Sequence, residues 1–153
     1  MSTISPCLWF DGNGLEAAEF YASLFPHSKV DHVSPGPDGS PVMVSFTLMG
    51  RPFQALNGGP QFRFTEAVSL VVPCQDQSEV DHYWTALTEG GEEGMCGWLK
   101  DRFGLSWQIV PTELGEILSD PDPERAARAT GAMLQMRKLD AAALRVAAEG
   151  ADA

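Results

Sequence analysis

No stretch of this 153-residue chain stays apolar for the roughly 18 residues that a membrane-spanning helix needs. Basic residues are scarce, with 10 Lys and Arg against 21 Asp and Glu and a net charge of -11. The first lack excludes a helical span; the second argues against nucleic acid or an anionic membrane as partner. Cysteine is sparse too. Cys7, Cys74 and Cys96 form neither an even set nor a C-x-x-C pair, which excludes a disulfide framework and fits free thiols in a reducing cytoplasm. Met1 to Pro6 lack a basic region followed by an apolar one, so no secretory signal is expected and the protein reads as cytoplasmic. Missing as well is any Gly-x-Gly-x-x-Gly after a strand, the turn that cradles phosphate or S-adenosylmethionine in a doubly wound sheet.

What is present is an ordinary globular composition, 44% hydrophobic and 20% charged, of a length for one domain or two small halves sharing a core. Cys7 to Phe10 reads as a short strand and stops at Asp11-Gly12-Asn13-Gly14. Asn13 is expected to cap a helix, with Glu16 as its reciprocal partner, and Ala18, Tyr21, Ala22 and Phe25 form an i, i+3, i+4, i+7 stripe that Pro26 ends. Strands follow near Lys29–Val33, Val42–Leu48 and Pro52–Asn57, the first two separated by a Pro- and Gly-rich loop from Ser34 to Pro41. After a connector from Gly58 to Thr65 the pattern recurs. Val68–Val72 reads as a strand buried on both sides or at a core edge, Ser78 as a cap, and Val80, Tyr83, Trp84 and Leu87 as a second helical stripe, stopped by Gly90-Gly91. A turn at Lys100-Asp101-Arg102, with local ion pairing, leads into a strand from Leu105 to Val110. Alternation puts Trp107 and Ile109 on one face of that strand and Ser106, Gln108 and Val110 on the other.

Strand, helix stripe and final strand match between the halves: Leu8 and Phe10 with Leu70 and Val72, and Phe53, Gln54 and Ala55 with Trp107, Gln108 and Ile109. The chain is therefore expected to be α+β, a duplicated β-α-β-β-β module over about residues 4–57 and 66–111, followed by a helical tail over about 112–150. In the tail, Asp122 caps, Pro123 takes the first helical position, and Ala126, Ala129, Met133 and Leu134 face one way. A second helix runs from Asp140 to Glu149, stapled by Leu139 and Leu144. Helices this apolar must cover a sheet, of this chain or of a second subunit.

Two such modules closing around a cup resemble the vicinal oxygen chelate fold of glyoxalase I, extradiol dioxygenases and bleomycin-resistance proteins. Trp9-Phe10-Asp11-Gly12, Leu24-Phe25-Pro26, Ala55-Leu56-Asn57-Gly58-Gly59-Pro60, Phe64-Thr65-Glu66-Ala67-Val68-Ser69, Cys96-Gly97-Trp98-Leu99-Lys100-Asp101-Arg102-Phe103-Gly104 and Met133-Leu134-Gln135-Met136 resemble its PhnB-like branch, which also bears the label demethylubiquinone methyltransferase-like. The resemblance implies a homodimer with a small-molecule ligand of unknown identity. Metal-using members place ligands on the first and last strand of each module, and those positions fall here on Gln54 and Gln108, and near Ser5 and Ala67. Two amides, a hydroxyl and a methyl supply neither carboxylate nor imidazole, so no metal and no cofactor is expected. Glu66 should point away by alternation, and His27, His32 and His82 read as surface residues.

The implied pocket has Gln54 and Gln108 facing one another across the cup. Asn57, Trp9, Phe62, Phe64, Trp98 and Trp107 are the candidates to line it, and the Lys100-Asp101-Arg102 turn, tested at Arg102, is the candidate clamp for an anion at its mouth. The two amides either serve a ligand or satisfy each other. Three functions stay open: metal-independent binding of a small polar molecule, a divalent-metal enzyme of the glyoxalase or dioxygenase kind, and a methyltransferase.

Overall fold

The computed structural model describes residues 2–150 and divides into two compact units, one ending at Phe64 and the other beginning at Thr65. The first unit runs β1 (Cys7–Phe10), α1 (Gly14–Leu24), β2 (Lys29–Pro35), β3 (Pro41–Leu48) and β4 (Arg51–Asn57). Its strand order is β1-β4-β3-β2, with β1 parallel to β4 and the other neighbours antiparallel. The second unit runs β5 (Ser69–Cys74), α2 (Gln77–Thr88), β6 (Glu92–Glu93), β7 (Trp98–Lys100) and β8 (Ser106–Pro111). Its order, β5-β8-β7-β6, repeats the first, again with first and last strands parallel. The fold is the α+β duplication expected from the sequence. Among the described residues no helix is long and apolar enough to cross a membrane.

In the first unit α1 buries Ala17, Ala18 and Tyr21, and Phe25 just beyond it, while β3 and β4 contribute buried Val44, Phe46, Leu48 and Ala55. Tyr21 and Phe46 lie 6.5 Å apart between ring centroids, and Phe53 stacks on Phe46. The cap of α1 differs from expectation. The Asn13 side chain makes no capping bond; the Gly14 N–H donates instead to Asn57 Oδ1 at 2.8 Å, and Asn57 Nδ2 donates to the Pro41 carbonyl at 2.9 Å. A Cβ at Gly14 would stand 2.7 Å from Asn57 Oδ1, so only glycine lets this amide from a distant strand satisfy the first turn.

The second unit caps α2 with Asp76 rather than Ser78. Asp76 Oδ1 accepts from the Glu79 N–H at 2.9 Å and Glu79 Oε2 accepts from the Gln75 N–H, one residue ahead of the cap, at 2.8 Å, so the helix starts two residues earlier than a Ser78 cap would have it. The expected stripe Val80, Tyr83, Trp84 and Leu87 is buried, along with Val72, Cys74, Leu99, Leu105, Trp107 and Ile109 of the sheet. Of the two settings expected for β5, buried on both sides or at a core edge, the structure has the strand covered on one side only. Val72 and Cys74 are buried, whereas Val71 is 58% exposed, because α2 lies against one face only.

The tail forms α3 (Leu114–Leu118), α4 (Pro123–Met133) and α5 (Ala141–Glu149) around Ile117, Ala129, Leu144 and Ala148. Asp122 and Asp140 cap α4 and α5, and Gly150 ends α5 in the left-handed conformation. Leu134, expected on the buried face, follows the last turn of α4 and is exposed. The tail docks on its own unit. Gln77 Nε2 donates to the Leu139 carbonyl at 2.9 Å, Lys138 Nζ meets Asp81 at 2.9 Å, the Gly97 N–H donates to the Arg137 carbonyl at 2.8 Å, and Leu139 is fully buried.

The three thiols are free, and their settings differ: Cys7 is exposed, Cys96 half-buried and Cys74 buried. Burial, reinforced by the charges of Glu79 and Asp76, pushes the Cys74 thiol up to about 11. Because the folded value lies above the unfolded one, the stability this thiol contributes is complete below about pH 9 and is lost as pH rises through 11, on the order of 2–3 kcal/mol. At pH 8 a disulfide reagent is expected to label Cys7 within minutes and Cys74 only on unfolding, as peptide mapping reads directly. Fast labelling of Cys74 in the native protein would contradict this packing.

Candidate functional site

Each sheet has one face against its helix and one turned away, and period-2 alternation assigns the residues. In the first unit Leu8 and Phe10 face α1, so Cys7 and Trp9 turn away, and their parallel partners Gln54 and Leu56 share that open face. Trp9 is held there by its Nε1–H donating to the Gly59 carbonyl at 2.9 Å, and Phe62 meets it edge-on at 4.9 Å between centroids. The Gln54 amide has no side-chain partner among the described residues.

In the second unit Leu105, Trp107 and Ile109 face α2 and are buried, so Ser106, Gln108 and Val110 occupy the open face. Trp98 is the cross-strand partner of Gln108, and Lys100 that of Ser106. Gln108 Nε2 donates to Ser69 Oγ at 2.9 Å, across the β8–β5 pair. A cleft of about 480 Å³ lies on this face, lined by Glu66, Glu92, Met95, Trp98, Lys100 and Ser106 among others. Its volume suits a small organic molecule. Ser106 is 1% exposed, and its Oγ has no hydrogen-bond partner among the described residues. A buried hydroxyl left unsatisfied is unusual, because desolvation without a bond is unfavourable.

Lys100 Nζ forms an ion pair with Glu66 on this face. The bond to Lys100 holds the Glu66 carboxyl below the usual carboxylate range, and Glu66 in turn raises the Lys100 ammonium. The pair therefore persists as pH falls past the ordinary carboxylate value and is lost only when Glu66 protonates below it.

Of the residues selected from the sequence, Gln54, Trp9 and Phe62 gather in the first unit, and Gln108 and Trp98 in the second. Four do not belong with them. Asn57 turns toward α1 and is committed to Gly14 and Pro41. Phe64 stands edge-on to buried Phe10 at 5.3 Å. Trp107 faces α2, with its Nε1–H donating to Asp101 Oδ2 at 2.8 Å. Arg102 is exposed beside Gly90, its guanidinium 5.1 Å from the Phe103 ring centroid, rather than at the cleft. In the turn it belongs to, Asp101 is buried and Lys100 pairs with Glu66. Glu66, expected to point away, lines the cleft, because Thr65–Val68 is a turn ahead of β5 and strand alternation does not reach it. Ser106 reads from the sequence as sharing the face of Gln108 but is not selected, and Lys100 enters only as part of the charged turn; their alternation with Leu99 and Trp107 is the signal that places them on the cleft.

A family model described as 3-demethylubiquinone-9 3-methyltransferase matches residues 2–110, ending before α3. No curated protein matches the chain. Among solved structures, the PhnB protein of Bacillus cereus is 31% identical, with 72% of this chain and 99% of that chain covered and a TM-score of 0.68. A protein from Pseudomonas aeruginosa is 20% identical over 72% of this chain and 98% of its own, with a TM-score of 0.61. The fosfomycin resistance protein FosX from Listeria monocytogenes, complexed with Mn(II) and sulfate ion, is 16% identical over 75% of this chain and 93% of its own, with a TM-score of 0.54. These last two share the vicinal oxygen chelate fold with this chain.

Such a fold raises the question of a divalent ion, and the donors present do not fit one. The open face of the second unit offers the neutral groups of Ser69, Ser106 and Gln108 and one carboxylate, Glu92, which stands beside an ammonium that already holds Glu66. That of the first offers Gln54, with Trp9 and Leu56 around it. Among the described residues no three His, Cys, Asp or Glu side chains assemble into an ion site. Mn(II) and similar ions need carboxylate oxygens or imidazoles, and a neighbouring ammonium repels them.

Proposed function

Because the chain belongs to the PhnB-like family whose model is described as 3-demethylubiquinone-9 3-methyltransferase, we propose that it binds a small polar molecule, without a metal, on the open face of the second sheet. Gln108 offers a carbonyl and one remaining N–H, Ser106 a free hydroxyl, and Trp98 an apolar wall. The observation that carries this is the Ser106 hydroxyl, buried and unpartnered on the wall of a cleft. Gln54, Trp9 and Phe62 are the corresponding polar and aromatic group of the first unit.

The methyltransferase in the family description draws no support from the fold. The β1–α1 turn does carry Gly12 and Gly14, but the Gly14 N–H is taken by Asn57 Oδ1, β5–α2 has no glycine, and each sheet is mixed and four-stranded rather than doubly wound. The metal-enzyme reading draws none from the donor set.

The test is nuclear magnetic resonance on labelled protein, with Mn(II) binding measured separately by calorimetry. Benzamide, a neutral amide probe, is expected to shift the Trp98 indole N–H and the Gln108 side-chain amide. Mn(II) is expected to bind no tighter than millimolar. Micromolar Mn(II) binding at one site per chain would overturn metal independence.

A further inference from the structure

The four strands of the second sheet place Glu92, Lys100, Ser106 and Ser69 in one cross-strand row on the open face, each the register partner of the next. Neighbouring strands lie about 4.8 Å apart, so the ammonium and the two hydroxyls form a short line of donors. Ser69 Oγ already accepts from Gln108, so its own proton is left to donate. The Ser106 hydroxyl has no hydrogen-bond partner among the described residues. Glu66 comes from outside the sheet to lay its carboxylate on Lys100. Its side chain is 61% exposed, so leaving that place for water is easy.

We propose that this row receives the carboxylate of a small apolar monocarboxylate, and that Glu66 occupies Lys100 as the chain's own stand-in until the ligand displaces it. The inference rests on the binding face proposed above and assigns it a ligand class. Lys100 and the Ser106 hydroxyl bind the incoming oxygens, while Trp98 and Met95 flank the apolar body. Charge selects the valence. Exchanging one carboxylate for another leaves the site's charge unchanged, and Glu92 remains beside Lys100 in the row. Glu93 is already engaged by Trp84 at 2.9 Å and Arg137 at 3.5 Å. A dianion such as a phosphonate would add charge next to Glu92, and an organic cation would find Lys100 in its way.

Benzoate, benzamide, benzylammonium and phenylphosphonate, matched in ring and different in charge, are the probes, read by the Trp98 indole N–H and titrated to a Kd. Benzoate is expected to bind tightest. Glu66→Gln removes the competing carboxylate and should tighten benzoate about fivefold, the order of one exposed ion pair, while leaving benzamide unchanged. Lys100→Met should weaken benzoate more than tenfold. Ser106→Ala should weaken it while leaving thermal stability equal or higher, because it removes a hydroxyl that the free protein does not satisfy. A Glu66→Gln variant that binds benzoate no better, or benzamide or benzylammonium binding as tightly as benzoate, overturns the ligand class and leaves the binding face standing. No shift with any of the four probes overturns the binding face itself.

Discussion

Replacing Asp101 by Ala is expected to lower the unfolding free energy by about 3–5 kcal/mol, the range for breaking a buried charge-assisted network. The carboxylate is 3% exposed and gathers three donors: the N–H groups of Phe103 at 2.9 Å and Leu105 at 3.1 Å on Oδ1, and the Trp107 Nε1–H at 2.8 Å on Oδ2. Leu105 and Trp107 are themselves buried, so their donors have no water to turn to once the acceptor is gone. Asp101→Asn should fall between wild type and Ala. Its carbonyl can keep the turn, but its NH₂ then meets the indole N–H donor to donor. Urea unfolding read by tryptophan fluorescence measures all three, and an unchanged m-value would show that the native state alone was affected. A loss below about 1 kcal/mol in the Ala variant would mean that the network is not as described.

Gly97→Ala should have the next largest effect, about 2–4 kcal/mol, combining left-handed backbone strain with overpacking. Gly97 has a φ of +84°, and a Cβ there would stand 2.9 Å from the Ile109 carbonyl oxygen and 2.9 Å from Leu139 Cδ1. The first neighbour is strand backbone and cannot yield, since the Ile109 N–H donates to the Gly97 carbonyl at 2.8 Å in the same contact. The second is the residue that seats the tail. Relief can therefore come only by moving Leu139, which breaks the bonds from Cys96 to Met136 and from Gly97 to Arg137. Trypsin is expected to cut after Arg137 and Lys138 at least tenfold faster in this variant, a rate that follows the free energy of local opening. Tryptic resistance equal to wild type, with full stability, would show that the loop and the tail are not locked together. Because Met95 and Trp98 flank Gly97 in sequence and line the cleft, the same variant should also bind benzoate more weakly.

Both residues lie in a segment whose sequence pattern pointed elsewhere. Lys100-Asp101-Arg102 has the composition of a solvated turn, yet its three side chains go three ways: Lys100 to Glu66, Asp101 into the core, and Arg102 over Phe103. The helix caps show the same gap. Ser78 and Asn13 are good capping residues by type, but Asp76 and Asn57 do the capping, the latter 43 positions from the N–H it accepts. The apolar pattern, by contrast, was legible. Val80, Tyr83, Trp84 and Leu87 are buried as a set, as are Ala18, Tyr21 and Phe25 in the other unit. Where that pattern left two settings open, in β5, the reason is that a β-branched run does not tell how many faces of a sheet are covered, and the exposure of Val71 decides it.

The amino-acid sequence by itself determined the duplicated module, the helix and strand order, and which side of each element is apolar. Periods of 3.6 and 2 are properties of the local backbone and need no partner to be read. Only the tertiary structure decided the polar assignments: Asn57 to a helix cap, Asp101 to an indole, Glu66 to Lys100, and Ser106 to a cleft with nothing bonded to it. A polar side chain takes whichever donor or acceptor the fold brings within about 3 Å, and that neighbour generally comes from another part of the chain, where no local period records it.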